Sequence, residues 1–129
     1  MASAQRQTNV ETIRALYAAF NREDLEATLV KLADDVEWTE PDGSIFGGTH
    51  HGPDEVLTNV FEVCRREFDP FTVEPERFLD AGAAVVALGT FYATTRDGTR
   101  IESPFAHVWE LADGKVAHMT NYTDTALWQ

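Results

Sequence analysis

Two ionisable side chains fall on strand faces that are otherwise apolar. In "ADDVEWTEPDGS" (residues 33–44), acids crowd around Val36 and Trp38. Strand side chains alternate between faces, so Val36, Trp38 and Glu40 share one face and Glu37 and Thr39 the other. A strand that buries Val36 and Trp38 carries Glu40 inward with them, and Pro41 fixes the exit. In "PFAHVWEL" (residues 104–111), the same alternation groups Phe105, His107, Trp109 and Leu111 against Ala106, Val108 and Glu110. Burying charge costs free energy unless the group is paired or neutralised; burial raises a carboxylate pKa and lowers that of a histidine. Both shifts move the groups toward the range of general acid–base catalysis. The plainer alternatives are a core histidine with its hydrogen bonds satisfied and a strand-end glutamate that bends out to solvent.

The other candidates carry less. In "KVAHMTNYTDT", Ala117, Met119 and Asn121 share one face, His118 and Tyr122 the other, and periodicity leaves both faces open as the inner one. Asn121 can donate or accept in a pocket; Asp124 reads equally as a surface residue. His50 and His51 are neighbours on an extended loop and point apart, so no metal site is predicted. Cys64 lies on the apolar stripe of a helix and reads as a buried, inert thiol. Gly47 and Gly48 begin no phosphate loop, and the chain has no G-x-S-x-G elbow.

Positioning these residues falls to an ordinary set of elements. Thr8 and Glu11 form a T-x-x-E capping box, and Val10, Ile13, Leu16, Tyr17 and Phe20 make a stripe, predicting a first helix over residues 8–20. After "NRED", a second helix places Leu25, Leu29 and Leu32 on one face. "PDGSIFGGTHHG" reads as a loop. Pro53 suits the first position of a third helix, with Leu57, Val60, Phe61, Cys64 and Phe68 at helical spacing and Arg65 and Arg66 in its last turn. Four strands follow, turning at "AG", "RDG" and "ADG", with Pro75 marking an edge or a bulge. The layout is α+β, three early helices covering the inner face of a hairpin-linked sheet.

The bulk composition narrows the partners. The chain has 129 residues, 43% of them hydrophobic, which suits one domain over residues 1–129. A net charge of −12 opposes nucleic-acid and anionic-membrane partners. No apolar run approaches the ~20 residues of a membrane span, and "MASAQRQTNVE" lacks the apolar stretch of a signal peptide; both predict a soluble, cytoplasmic protein. Of the basic residues only Lys31 and Lys115 are lysines. Salt adaptation (a halophilic source) and an acidic surface kept soluble by charge both fit that balance.

Layout and residues together resemble the NTF2-like superfamily, in its SnoaL-like and ketosteroid-isomerase-like branch. The resemblance rests on "YAAFNREDLEATLVKLADDVEW", "GGTHHGPDEV" and "FAHVWELADGKVAHMTNYTD" in that order. It implies a cone in which a curved, mainly antiparallel sheet encloses an apolar pocket closed by helices, and a homodimer paired through the sheet. In ketosteroid isomerases the acid before the proline of this segment is the general base; Glu40 falls there. His107 falls where a second acid donates to the oxyanion. The tyrosine of that oxyanion hole corresponds to Leu16, with Tyr17 one residue on and about 100° around the helix. Epoxide hydrolases of the superfamily carry an acid where this chain has Asn121, and polyketide cyclases use one at or near it; an amide cannot serve as that base. The prediction is a cofactor-free acid–base enzyme, of isomerase or cyclase type, on a small hydrophobic substrate. Glu40 and His107 are its catalytic pair. Trp38, Phe61, Phe105 and Trp109 form walls, and Tyr17 or Asn121 orients the substrate. The alternative is a non-catalytic ligand-binding or dimerisation module in which Glu40 and His107 share a buried hydrogen bond.

Overall fold

A computed structural model describes the backbone of residues 2–129 and the side chains of residues 9–129. Helix α1 (Ala2–Asn21) and the single turn α2 (Leu25–Leu29) lead into β1 (Leu32–Glu40). A short strand β2 (Gly48–His51) precedes a continuous helical run: α3 (Gly52–Val56), a π-helical turn (Leu57–Phe61) and α4 (Glu62–Glu67). Then come β3 (Phe68–Ala81), β4 (Ala84–Thr95), β5 (Arg100–Ala112), β6 (Lys115–Thr123) and a closing 3-10 turn (Thr125–Leu127). The six strands form one mixed sheet in the order β2-β1-β6-β5-β4-β3. All neighbours are antiparallel except β1 and β6, which are parallel.

Several boundaries differ from the sequence reading, each for a local reason. Thr8 lies within α1 rather than at its start; its side chain is outside the described residues. Asp24 caps α2, its carboxylate accepting from Ala27 N at 3.1 Å. That helix ends before Leu32, which opens β1 with 2% exposure. Phe68 likewise opens β3 instead of closing the third helix. The "GTHH" segment is an edge strand, not a loop, with Trp38 opposite His50 and Glu40 opposite Gly48. The segment has no strand pattern of its own and forms by pairing with the edge that β1 offers.

Turn chemistry at the hairpins follows the sequence. Asp113 and Gly114 both take positive φ (54° and 77°) and close a two-residue loop between Ala112 and Lys115, as a type I′ turn requires. Pro75 sits on edge strand β3 beside an irregularity in the pairing with β4. Opposite it, Gly89 has no room for a side chain: a Cβ would stand 2.1 Å from the Glu74 carbonyl oxygen and 2.7 Å from the Phe105 ring. Bulge and glycine together let the sheet bend toward its inner face. That face packs on α1 through Ile13, Leu16 and Tyr17 and on the third helical run through Val56, Val60, Phe61 and Cys64. Asn21 pins the end of α1 to β3, donating to Val73 O at 2.7 Å and accepting from Val73 N at 2.9 Å. Among the described residues no helix is long and apolar enough to cross a membrane.

Candidate active site

Glu40 ends β1 on the same face as Val36 and Trp38, and all three are buried. The carboxylate is held by two N–H donors. Trp38 Nε1 donates to Oε2 at 2.7 Å, and Asn121 Nδ2 donates to Oε1 at 2.9 Å. The first bond is local: residues two apart on a strand point the same way, so an indole reaches its neighbour's carboxylate. The second crosses from β6, whose Thr120 pairs with Thr39. Burial pushes the Glu40 pKa up, while Asn121, Trp38 and, more weakly, the field of His50 pull it down.

His107 belongs to β5, directly opposite Asn121 on β6. Its Nδ1 lies 2.7 Å from the Tyr17 hydroxyl, which in turn accepts from Trp109 Nε1 at 3.0 Å. With that lone pair taken by the indole, the phenolic proton points at His107 Nδ1. The imidazole then carries its own proton on Nε2. Burial lowers the His107 pKa to about 3, and a hydrogen bond with the Asn121 side chain works in the other direction. The ring is therefore neutral at physiological pH; contrary to the expectation from sequence, burial carries it away from the acid–base range and leaves it a hydrogen-bond donor only. Burial pushes the Tyr17 phenol far above its usual range, so it stays protonated as a donor.

Glu40, Asn121 and His107 thus occupy adjacent positions on β1, β6 and β5. Glu40 and His107 do not bond to each other, so the shared hydrogen bond of the non-catalytic reading is absent; Asn121 stands between them. The register of β6 is now settled: Asn121 is 6% exposed and Tyr122 59%. These groups border a cavity of about 60 Å³. Tyr17, Trp38, Phe61, Trp109 and Asn121 line it with Glu40 and His107. Phe105 does not; it stands behind, stacked on His107 with ring centroids 4.1 Å apart. Leu16 and Tyr17 both reach the cavity. Cys64 also borders it, with its thiol pKa pushed well up by burial and by the Glu40 charge, as an inert thiol requires.

The sequence reading missed Phe46 and Trp128, which also line the cavity. Trp128 follows the last strand, where no periodicity assigns it a face. It is 2% exposed, donates from Nε1 to Ser103 Oγ at 3.2 Å, and its carbonyl accepts from Ile45 N at 2.7 Å. Phe46, Phe68, Phe71 and Phe91 surround its ring. A tryptophan after a turn-forming "TDTAL" is the only signal in the sequence. Among the described residues no cluster of three or more His, Cys, Asp or Glu side chains is placed to hold a metal ion.

The SnoaL-like domain model matches residues 13–119, from the buried face of α1 to the middle of β6. The chain belongs to the SnoaL-like domain family. Solved structures agree with the assignment. An NTF2-like protein of unknown function from Burkholderia pseudomallei K96243 is 36% identical, with a TM-score of 0.87 over 95% of this chain and 98% of that one. An NTF2-like protein from Burkholderia thailandensis E264 is 35% identical, with a TM-score of 0.88 over 92% of each chain. TerC, crystallised with polyporic acid, is 33% identical, with a TM-score of 0.85 over 92% of this chain and 93% of that one. No curated protein matches the sequence. The SnoaL-like domain here is thus an NTF2-like α+β fold in which buried Glu40, Asn121 and His107 lie on three neighbouring strands.

Proposed function

We propose that this SnoaL-like protein is a cofactor-free acid–base enzyme, of isomerase or cyclase type, acting on a small hydrophobic carbonyl compound. The observation that carries the reading is the pair of buried ionisable groups at one cavity. Glu40 is a carboxylate held by two N–H donors, and His107 is a neutral imidazole with its remaining N–H on Nε2. Glu40 takes the proton from a carbon next to the substrate carbonyl, and the C–H electron pair moves into the enolate. His107 Nε2–H donates to the carbonyl oxygen as negative charge develops there. Returning the proton from Glu40 to a different carbon isomerises the substrate. Attack of the enolate carbon on a second carbonyl closes a ring, with the proton delivered to the new alkoxide. A neutral imidazole serves as the donor in other proton-transfer enzymes.

The crystallisation of the relative TerC with polyporic acid supports an organic ligand for this chain as well. A homodimer through the outer sheet face completes the proposal. Tyr92 and Tyr122 are 41% and 59% exposed on the convex side, away from the cavity. The test is deuterium exchange from D2O into acetophenone followed by NMR. The reading requires exchange in the wild type and its loss in both Glu40→Gln and His107→Ala. Unchanged exchange with lowered stability alone supports the second reading, a ligand-binding module. The alternative also includes a dimerisation module, and a cavity of about 60 Å³ against the ~300 Å³ or more of ordinary ligand sites favours that form of it.

A further inference from the structure

We propose that the ligand site has an outer half: a cleft beside the cavity receives the apolar body of an elongated carbonyl compound, and Phe20 is the gate between the two spaces. The inference deepens the proposed function and rests on it for the ligand's carbonyl end at Glu40. It starts from a mismatch of size. The inner cavity, about 60 Å³, is far below the ~300 Å³ at which ordinary ligand sites begin. A cleft of about 410 Å³ lies next to it, and that volume is within the ordinary range of ~300–1,000 Å³. The cleft is bounded by the end of α1, the start of α2, α4, the start of β3 and the turn after β4. Phe68 is buried and Leu25 partly so; with Phe20 and Phe71 they give it an apolar floor. Arg65 and Asp69 are exposed at its rim.

Phe20, Cys64 and Phe71 border both spaces. A side chain that faces two cavities is the whole thickness of the wall between them. Two of the three are rings, in edge contact with centroids 6.1 Å apart. Among the described aromatic rings that line the inner cavity, these two alone are only partly buried. The backbone behind them is fixed. Asn21, next to Phe20, bonds both ways to Val73, two residues past Phe71. Opening is therefore a rotation of the Phe20 side chain between rotamers, not a movement of helix against sheet. Elsewhere on the inner cavity Ser44 and Thr123 are also partly exposed, but both are tied down. Ser44 Oγ donates to the Pro41 carbonyl at 3.0 Å, and Thr123 Oγ1 to that of Pro104 at 2.8 Å. A ligand lying across the Phe20 gate keeps its carbonyl end among the polar groups of the inner cavity and its apolar length on the cleft floor.

The test compares two methyl ketones that differ only in length, 2-decanone and 2-butanone. Trp38, Trp109 and Trp128 are the three tryptophans of the chain; all line the inner cavity and none lines the cleft, so their fluorescence reports arrival of the carbonyl end. Wild type is expected to bind 2-decanone at least ~10-fold more tightly, which burial of two of its extra methylenes already supplies at about fourfold each. Leu25→Asp, which puts a charge on the cleft floor, should bring the ratio within about threefold and leave 2-butanone binding unchanged. Because each ratio is internal to one variant, a general loss of stability cancels. In stopped flow, Phe20→Ala should speed association of 2-decanone at least about fivefold, and the milder Phe20→Leu by less in the same direction. Equal binding of both ketones by wild type, binding of neither, a ratio unchanged in Leu25→Asp, or association unaffected by both Phe20 variants overturns the inference. Deuterium exchange into acetophenone separates this from the catalytic reading. A length preference lost in Leu25→Asp, without exchange, leaves the inference standing and removes the enzyme; exchange without that preference does the reverse.

Discussion

The Glu40 and His107 ends of the cavity solve the same problem in different ways. Both bury an ionisable group beside a tryptophan, and both use that indole N–H as a donor. At Glu40 the bond is direct, from Trp38 two residues back on the same strand. At His107 it is relayed: Trp109, also two residues away on one strand, donates to Tyr17 of α1, which donates to the ring. The charges explain the difference. A carboxylate needs donors aimed at its oxygens to remain an anion in an apolar site, and direct N–H bonds provide them. A neutral imidazole needs only its tautomer set, which a hydroxyl on one nitrogen achieves. Burial disfavours charge at both ends, and only the Glu40 end aims two N–H donors at the charged form.

Removing the anion should have the largest consequence. Glu40→Gln should cut deuterium exchange into acetophenone by about 10³-fold, within the range for a lost general base. Exchange by the wild type should rise with pH through a Glu40 pKa lifted above the ordinary glutamate range, because only the ionised form is a base. At the other end, His107→Ala should cost about 10²-fold in the same assay, the usual order for a lost oxyanion donor.

Stability against pH should separate the two ends more finely. The His107 pKa is depressed in the fold, from the 6.5 of a free histidine to about 3. Its contribution is full above 6.5 and is lost as pH falls toward 3, because the unfolded chain then binds a proton that the native one does not. Glu40 is raised, so its contribution is full below the ordinary glutamate pKa of about 4.3 and is lost as pH rises through its folded value. Urea denaturation from pH 7 to 4 should show the His107 slope in wild type and its absence in His107→Phe. A slope that persists in that variant would assign it elsewhere.

Smaller still is the effect of cutting the relay. Tyr17→Phe leaves the Trp109 N–H and His107 Nδ1 without partners and should destabilise the protein by about 1–3 kcal/mol in the same denaturation. Nitrogen NMR of the imidazole should show the Nε2–H tautomer in wild type and a mixture in the variant. The least disturbing change is Tyr122→Ser on the convex face. It should alter monomer stability by no more than about 0.5 kcal/mol while shifting a sedimentation-derived dimer equilibrium toward monomer. No shift would remove that face as the interface.

Much of this was legible in the residues because strand periodicity is local. Two-residue alternation assigns Glu40 to the face of Val36 and Trp38, and His107 to that of Phe105 and Trp109, without knowledge of what lies opposite. The two Asp-Gly pairs and Pro75 mark turns and an edge for equally local reasons. Strand β2 was hidden because its glycine and two histidines have no strand pattern of their own; it exists by pairing with β1. Trp128 was hidden because nothing in sequence tells a terminal residue which mouth it will close. Leu16 and Tyr17, neighbours on a helix, could not be ranked as cavity residues, and both reach it.

The sequence by itself determined the fold family, the inward direction of Glu40 and His107, and the acidic, cysteine-poor character of the chain. Those follow from periodicity, turn chemistry and composition, each read over a few residues or summed over all of them. The tertiary structure decided the rest: that Asn121 and not Tyr122 faces inward, that it separates Glu40 from His107, and that Tyr17 sets the imidazole proton. These are contacts between residues 81 to 92 positions apart. A hydrogen bond depends on ångström-scale placement of two groups, and only the closing of the sheet against α1 brings such distant groups within that range.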